Sequence, residues 1–305
     1  MKIYKSFDEI INDGGSLAGS SVVAAAADRE TLAALKMAFE RGLGHALLTG
    51  REKIIAPIAE EFGVADKCEI LDAESEAEAV KRAVAAAHDG CADVLMNGAA
   101  DAPVLMRAAL DRECGLRCGR TVSYLAVMEI PHEEHLSFCS DGAFIVAPTL
   151  DQKKHILRNA LKAIHALGYE HVNVACIAAG ERVDRKIPSA ADAAALVAAW
   201  RAGEFDDLPC TCTIEGPMSV DVAASSKTAE RRGIKSVIAG KADLLLAPNI
   251  ECGSALCRTL VCYCGAKFAG VALGARVPIA LSMPSDDAET RFRGAAIACA
   301  AAAGR

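Results

Sequence analysis

The sequence predicts an α/β protein of two lobes, the first built on a doubly wound, mostly parallel sheet. Three observations carry this. Short apolar runs alternate with amphipathic stretches almost from end to end. Those runs are continuously apolar rather than alternating, the mark of a parallel sheet covered by helices on both faces. Finally, 305 residues with 52% hydrophobic content are more than a single core commonly organises.

The elements follow in order. Residues 21–27 (SVVAAAA) read as a strand, and 28–42 as a helix with Asp28 as N-cap and Gly42 as stop. HALLTG (45–50) is the next strand and 51–63 the next helix; CEILDA (68–73) and 75–90 repeat the pair, followed by DVLMNG (93–98) and 103–115. The texture changes over residues 121–148, where strands follow one another without a helix between them, which predicts passage into a second lobe. Residues 149–168 carry the clearest helix signal in the chain. Thr149 and Gln152 form a capping box, and Ile156, Leu157, Ala160, Leu161, Ile164 and Leu167 form one apolar stripe. Strand 171–179, helix 189–203, strand 210–217, helix 219–233, strand 243–250, helix 251 to about 266 and strand 268–274 complete the second lobe. Residues 278–282 (PIALS) and a last helix from about 286 to 303 are expected to return to the first sheet. The expected division is therefore residues 1–130 with 277–305 as the first domain and 131–276 as the second.

Composition excludes several classes. The balance of 33 basic and 40 acidic residues gives a net charge of −7 without long blocks of either sign, which argues against a nucleic-acid polyanion as partner. No apolar run is long enough to cross a bilayer and the start has no apolar signal region, so a soluble, cytoplasmic protein is expected. Thirteen scattered cysteines without a secretory signal read as reduced thiols. In residues 252–264 (CGSALCRTLVCYC) four of them are closely spaced, but paired Cys-x-x-Cys knuckles are missing and the stretch reads as helical. Packing thiols explain it better than a metal site.

The strand C-terminal ends run into MNGAADAP, EGPMSVD, APNIECGS and ALSMPSDD. In an open α/β architecture such loops gather at a crevice, expected here between the lobes. Arg107 is either an anion clamp there or a solvated helix residue paired with Asp111. Ser219 and Asp221 suit a helix start, as do Asn249 and Glu251, and those exposed N–H groups can also take an anion. Phosphate-loop, nucleophile-elbow and dinucleotide fingerprints are missing.

Together, RAALDRECGLR (107–117), the stretch from VAPTLDQKKHILRNA, EGPMSVDVAAS, and AGKADLLLAPNIECGSALCRTL running into FAGVALGARVPIAL resemble the phosphate acetyl/butyryltransferase family, closest to its phosphate butyryltransferase branch. The resemblance implies a two-lobed α/β homodimer with an interdomain cleft, an arrangement like that of isocitrate and isopropylmalate dehydrogenases. It implies transfer of a short acyl group between coenzyme A and phosphate, with coenzyme A as substrate and neither metal nor other cofactor. On this resemblance Arg107 and Arg276 are the anion clamps, and Ser219, Asp221, Asn249 and Glu251 contribute to substrate binding. Asp286 or Glu289 is the proton acceptor and Ser282 polarises the thiol. The chain departs from the family where its Ser-Arg pair is expected, since Met283 and Pro284 stand there. The alternative is a relative that binds coenzyme A or an acyl phosphate without transferring the acyl group.

Overall fold

The computed structural model describes residues 4–13, 17–283 and 285–304. The chain divides into two compact units. The terminal unit comprises Phe7–Val122 and Phe268–Arg305, and the central unit Met1–Ser6 with Ser123–Lys267.

In the terminal unit, β1 (Ser21–Ala25), β2 (His45–Gly50), β3 (Cys68–Asp72), β4 (Val94–Asn97), β10 (Lys267–Leu273) and β11 (Ile279–Ala280) lie in the order β3-β2-β1-β4-β11-β10. All neighbours are parallel except β10, which runs antiparallel to β11 with Val271 opposite Ala280. The return of PIALS to the first sheet is as expected, since Ile279 pairs with Leu95. Residues 268–274 were expected in the second lobe; they instead pair with β11, because only a tight hairpin separates the two strands. The helices are α1 (Phe7–Asp13), α2 (Arg29–Glu40), α3 (Glu52–Phe62), α4 (Glu76–His88), α5 (Ala102–Ala109) and α11 (Ala288–Ala303). Asp28 caps α2 through Thr31 N–H, Gly63 ends α3 in the left-handed region at φ 68°, and Ser75 caps α4 through Glu78 N–H. Helix α5 is shorter than its pattern suggested: Asp111 accepts hydrogen bonds from Glu113 and Cys114 N–H (2.8 and 3.0 Å) and turns the chain into a loop.

In the central unit, β5 (Ser123–Glu129), β6 (Ser137–Ser140), β7 (His171–Ile177), β8 (Thr211–Met218) and β9 (Leu244–Leu246) take the order β5-β6-β9-β7-β8. The first pair is antiparallel and the rest parallel. Its helices are α6 (Leu150–Ala166), α7 (Pro188–Arg201), α8 (Val220–Ala224), α9 (Ser226–Arg231) and α10 (Ile250–Cys264). The capping box of α6 forms as the pattern requires. The single helix expected over 219–233 is two, because Ser225 takes an extended conformation and caps α9 through Thr228 N–H.

Candidate active site

The parallel strands of the terminal unit direct their C-terminal ends to one edge of its sheet. There Asn97 and Ser282, at the ends of β4 and β11, clasp each other. Ser282 N–H donates to Asn97 Oδ1 (2.7 Å) and Asn97 Nδ2 donates to the Ser282 carbonyl (2.8 Å). Both residues are buried, and the Ser282 hydroxyl is also taken up by Asn97, 3.2 Å from its Oδ1 and 3.3 Å from its carbonyl. The Ser282 hydroxyl, expected to polarise the thiol, is thus hydrogen-bonded inside the clasp and helps to fix the turn. Met283 follows, exposed, and Asp286 closes the turn by accepting Met283 N–H at Oδ2 (2.7 Å). Pro284 lies outside the described residues. Glu289 is exposed in the first turn of α11 and forms an ion pair with Arg293, one helical turn on.

Behind the turn is a guanidinium that pattern reasoning did not single out. Arg291, on α11, is 3% exposed. Its Nη1 donates to Asp28 Oδ1, Thr31 Oγ1 and the Gly98 carbonyl (3.0, 3.0 and 3.1 Å), and its Nε to the Asp286 carbonyl (3.3 Å). One side chain thus ties the ends of β1, β4 and β11 together. The signal available for it was a charged residue within a helix apolar all round, which requires buried partners.

The predicted arginines part company. Arg107 lies in the last turn of α5, exposed, and among the described residues no hydrogen bond or ion pair engages its guanidinium. Among the described residues Arg107 forms no ion pair with Asp111, whose Oδ1 is engaged by the following loop. Arg276 sits in the β10–β11 hairpin, with Nη1 donating to the His88 carbonyl at the end of α4 (3.2 Å). That is the N-terminal edge of the parallel strands, opposite the Ser282 turn.

In the central unit a second polar group forms at the ends of β7 and β8. Ser219 N–H donates to Glu181 Oε1 (3.2 Å), and the Ser219 hydroxyl also binds that oxygen. Arg232 spans the group, with Nη2 to Glu181 Oε2 at 2.7 Å and Nη1 to Asp221 Oδ2 at 3.1 Å and Ser219 Oγ at 3.2 Å. Burial would push Glu181 up, but the bonds from Ser219 and the Arg232 charge outweigh it and hold the carboxyl below its ordinary value. Asp221 is also held low, by a hydrogen bond from Ser219 and then by Arg232.

Asn249 caps α10, accepting Cys252 N–H at Oδ1 (2.9 Å), with Glu251 exposed in the first turn. Gly253 packs its backbone on the loop after β6, where an added Cβ would meet the Asp141 carbonyl at 2.7 Å and Gly142 Cα at 2.8 Å. Asp141 is buried. Its Oδ1 accepts Ala143 and Phe144 N–H (2.8 and 3.1 Å), its Oδ2 has no hydrogen-bond partner among the described residues, and burial pushes its carboxyl above the ordinary range.

A family model described as "Phosphate acetyl/butaryl transferase" matches residues 73–299. The chain belongs to this family. It is 37% identical over 279 residues to a probable phosphate butyryltransferase of Bacillus subtilis, covering 92% of each chain. It is 35% identical to a phosphate acetyltransferase of Thermotoga maritima, covering 88% of this chain and 90% of the relative. Among solved structures, a branched-chain phosphotransacylase from Enterococcus faecalis superposes with a TM-score of 0.80 at 25% identity, over 93% of this chain and 99% of the other. The phosphotransacylase resemblance read from the strand-end loops is therefore correct.

Proposed function

We propose that this chain transfers a short acyl group between coenzyme A and inorganic phosphate. The observation that carries the reading is family membership along almost the whole chain, with relatives named for that reaction. In the direction of acyl phosphate formation, a phosphate oxygen attacks the thioester carbonyl and a C–O bond forms. The tetrahedral oxyanion collapses, the C–S bond breaks, and the thiolate leaves. In reverse, the thiol must lose its proton to a base before it attacks. The site therefore needs a cation for phosphate and a carboxylate for the proton.

Arg107 is the phosphate-binding cation in this reading, supported by its exposed, uncommitted fork. Asp286 is the proton acceptor: its Oδ2 holds the turn while Oδ1 is unbonded among the described residues. Glu289 is a weaker candidate, because Arg293 neutralises it. Ser219, Asp221, Asn249 and Glu251 belong to the substrate-binding surface of the central unit. The Asn97–Ser282 clasp gives the turn a fixed geometry without a Ser-Arg pair.

The functional assembly is a homodimer. This is supported by α10, where only Gly253 and Cys257 are buried and Tyr263 is 87% exposed. Light scattering at twice the chain mass is the expected result. A cytoplasmic setting fits the cysteines, all free among the described residues. Among those residues no helix is long and apolar enough to cross a membrane.

The reaction is tested by incubating acyl-CoA substrates of two to five acyl carbons with phosphate and following free thiol. Phosphate-dependent release that falls at least tenfold in Arg107→Gln supports the assignment. Saturable coenzyme A binding without release from any substrate would establish the non-catalytic alternative.

A further inference from the structure

We infer that the terminal unit carries a second ligand site, for a nucleoside with a free ribose diol. The sheet order β3-β2-β1-β4 places a topological switch point between β1 and β4, where open α/β folds bind ligands beyond the strand ends. A cavity of about 260 Å³ opens beside that point, over the ends of β1, β2 and β3 and bordered by Ala99 after β4. None of the residues assigned to acyl transfer lines it.

Its lining selects the ligand. Ala26 and Ala27 form one wall, at the turn after β1, and Ala73 and Ala99 contribute further methyls. A dinucleotide pyrophosphate needs glycine at the turn after β1 for close backbone approach. The alanine methyls deny that approach, so a single nucleoside fits and a dinucleotide does not. The volume agrees, lying just below the ~300–1,000 Å³ of ordinary small-molecule pockets. Ile54 stands at the mouth, 54% exposed, and offers the flat apolar contact that a heteroaromatic base requires.

The polar groups point the same way. Glu74 and Glu76, both exposed, line the cavity after β3. Glu76 Oε1 accepts Asp101 N–H (3.1 Å), which fixes that side chain, while its Oε2 and the Glu74 carboxylate are unbonded among the described residues. Carboxylates accept hydrogen bonds from the ribose 2′- and 3′-hydroxyls and repel a phosphate carried on either of them. The chemistry therefore disfavours coenzyme A, whose ribose carries a 3′-phosphate. Arg51 borders the same space and is held by Nε on the Glu74 carbonyl (3.1 Å). Its two terminal nitrogens are free, among the described residues, for one phosphate at the 5′ position.

The test is calorimetric titration of the full chain with AMP. Saturable binding is expected, weakened at least tenfold by Ile54→Asp and by Glu74→Gln with Glu76→Gln. These substitutions lie at exposed positions, and glutamine keeps the acceptor for Asp101. AMP lacking both ribose hydroxyls should bind at least tenfold more weakly. Arg51→Gln should weaken AMP and leave adenosine unchanged. Coenzyme A should not shift the AMP isotherm. Absence of AMP binding, indifference to the Ile54 and glutamate variants, or displacement of AMP by coenzyme A would each overturn the inference. Thiol release measured without AMP reports on acyl transfer separately.

Discussion

Arg291 offers the most quantitative test of how the terminal unit holds its turn. Its guanidinium is almost fully buried and meets Asp28, Thr31, Gly98 and Asp286 at 3.0–3.3 Å. Replacing it with methionine keeps the stem and removes every one of these bonds. Deleting one partner of a buried ion pair costs ~3–5 kcal/mol. The Asp28 side chain is 33% exposed and keeps its bond from Thr31 N–H, so water relieves part of its loss. That places the cost of Arg291→Met near the lower bound, about 3 kcal/mol. In a unit of this size that is a fall in melting temperature of roughly 6–12 °C. Arg291→Lys keeps the charge but not the fork, so it reaches either Asp28 or the Asp286 carbonyl and not both; a loss of about 1 kcal/mol follows. Thermal unfolding followed by circular dichroism measures both. Turnover should fall in the same order as stability, with the lysine variant intermediate. A methionine variant that melts within 2 °C or so of the parent would refute the reasoning.

Other expectations follow from the central unit and the thiols. Gly253→Ala should destabilise although alanine favours a helix by about 1 kcal/mol, because the new Cβ meets the Asp141 carbonyl at 2.7 Å; urea unfolding should show a net loss of ~1–3 kcal/mol. Arg232→Gln should cost about 1 kcal/mol or less at pH 7, given its exposure. Because Glu181 is held below its ordinary value, that contribution is present above the unfolded carboxylate pKa and disappears as pH falls through the native one. Stability curves of the two proteins should therefore converge in acid; a difference that grows in acid would contradict the assignment. Under native conditions a thiol reagent should modify Cys91, Cys114 and Cys118 first, all exposed and all outside α10. Cys176 and Cys299, pushed up to about 12 by burial, should react only on unfolding.

Much of this was legible in the sequence where the signal is local. The apolar runs, the Asp28 cap and the Thr149–Gln152 box depend on neighbours within a turn, and each forms as its pattern dictates. The split between α8 and α9 was missed because Ser225 looks like any polar helix residue until its cap on Thr228 is seen. Within each unit the strand-end loops were legible as a group, because parallel topology alone sends them to one edge of that unit's sheet. Their internal wiring was not. Asn97 and Ser282 are 185 positions apart, and Arg291 and Asp28 are 263 apart. No spacing rule links such pairs, so the clasp around Ser282 was not foreseen and Arg291 was not singled out.

The most direct measurement is formation of acyl phosphate itself. Butyryl-CoA and phosphate are mixed with the protein, and hydroxylamine-trappable product is counted alongside free thiol. Equal amounts of both, dependent on phosphate and lost with Arg107→Gln, are the predicted result. No trappable product from butyryl-CoA or from the other acyl-CoA substrates of two to five acyl carbons would contradict acyl transfer to phosphate.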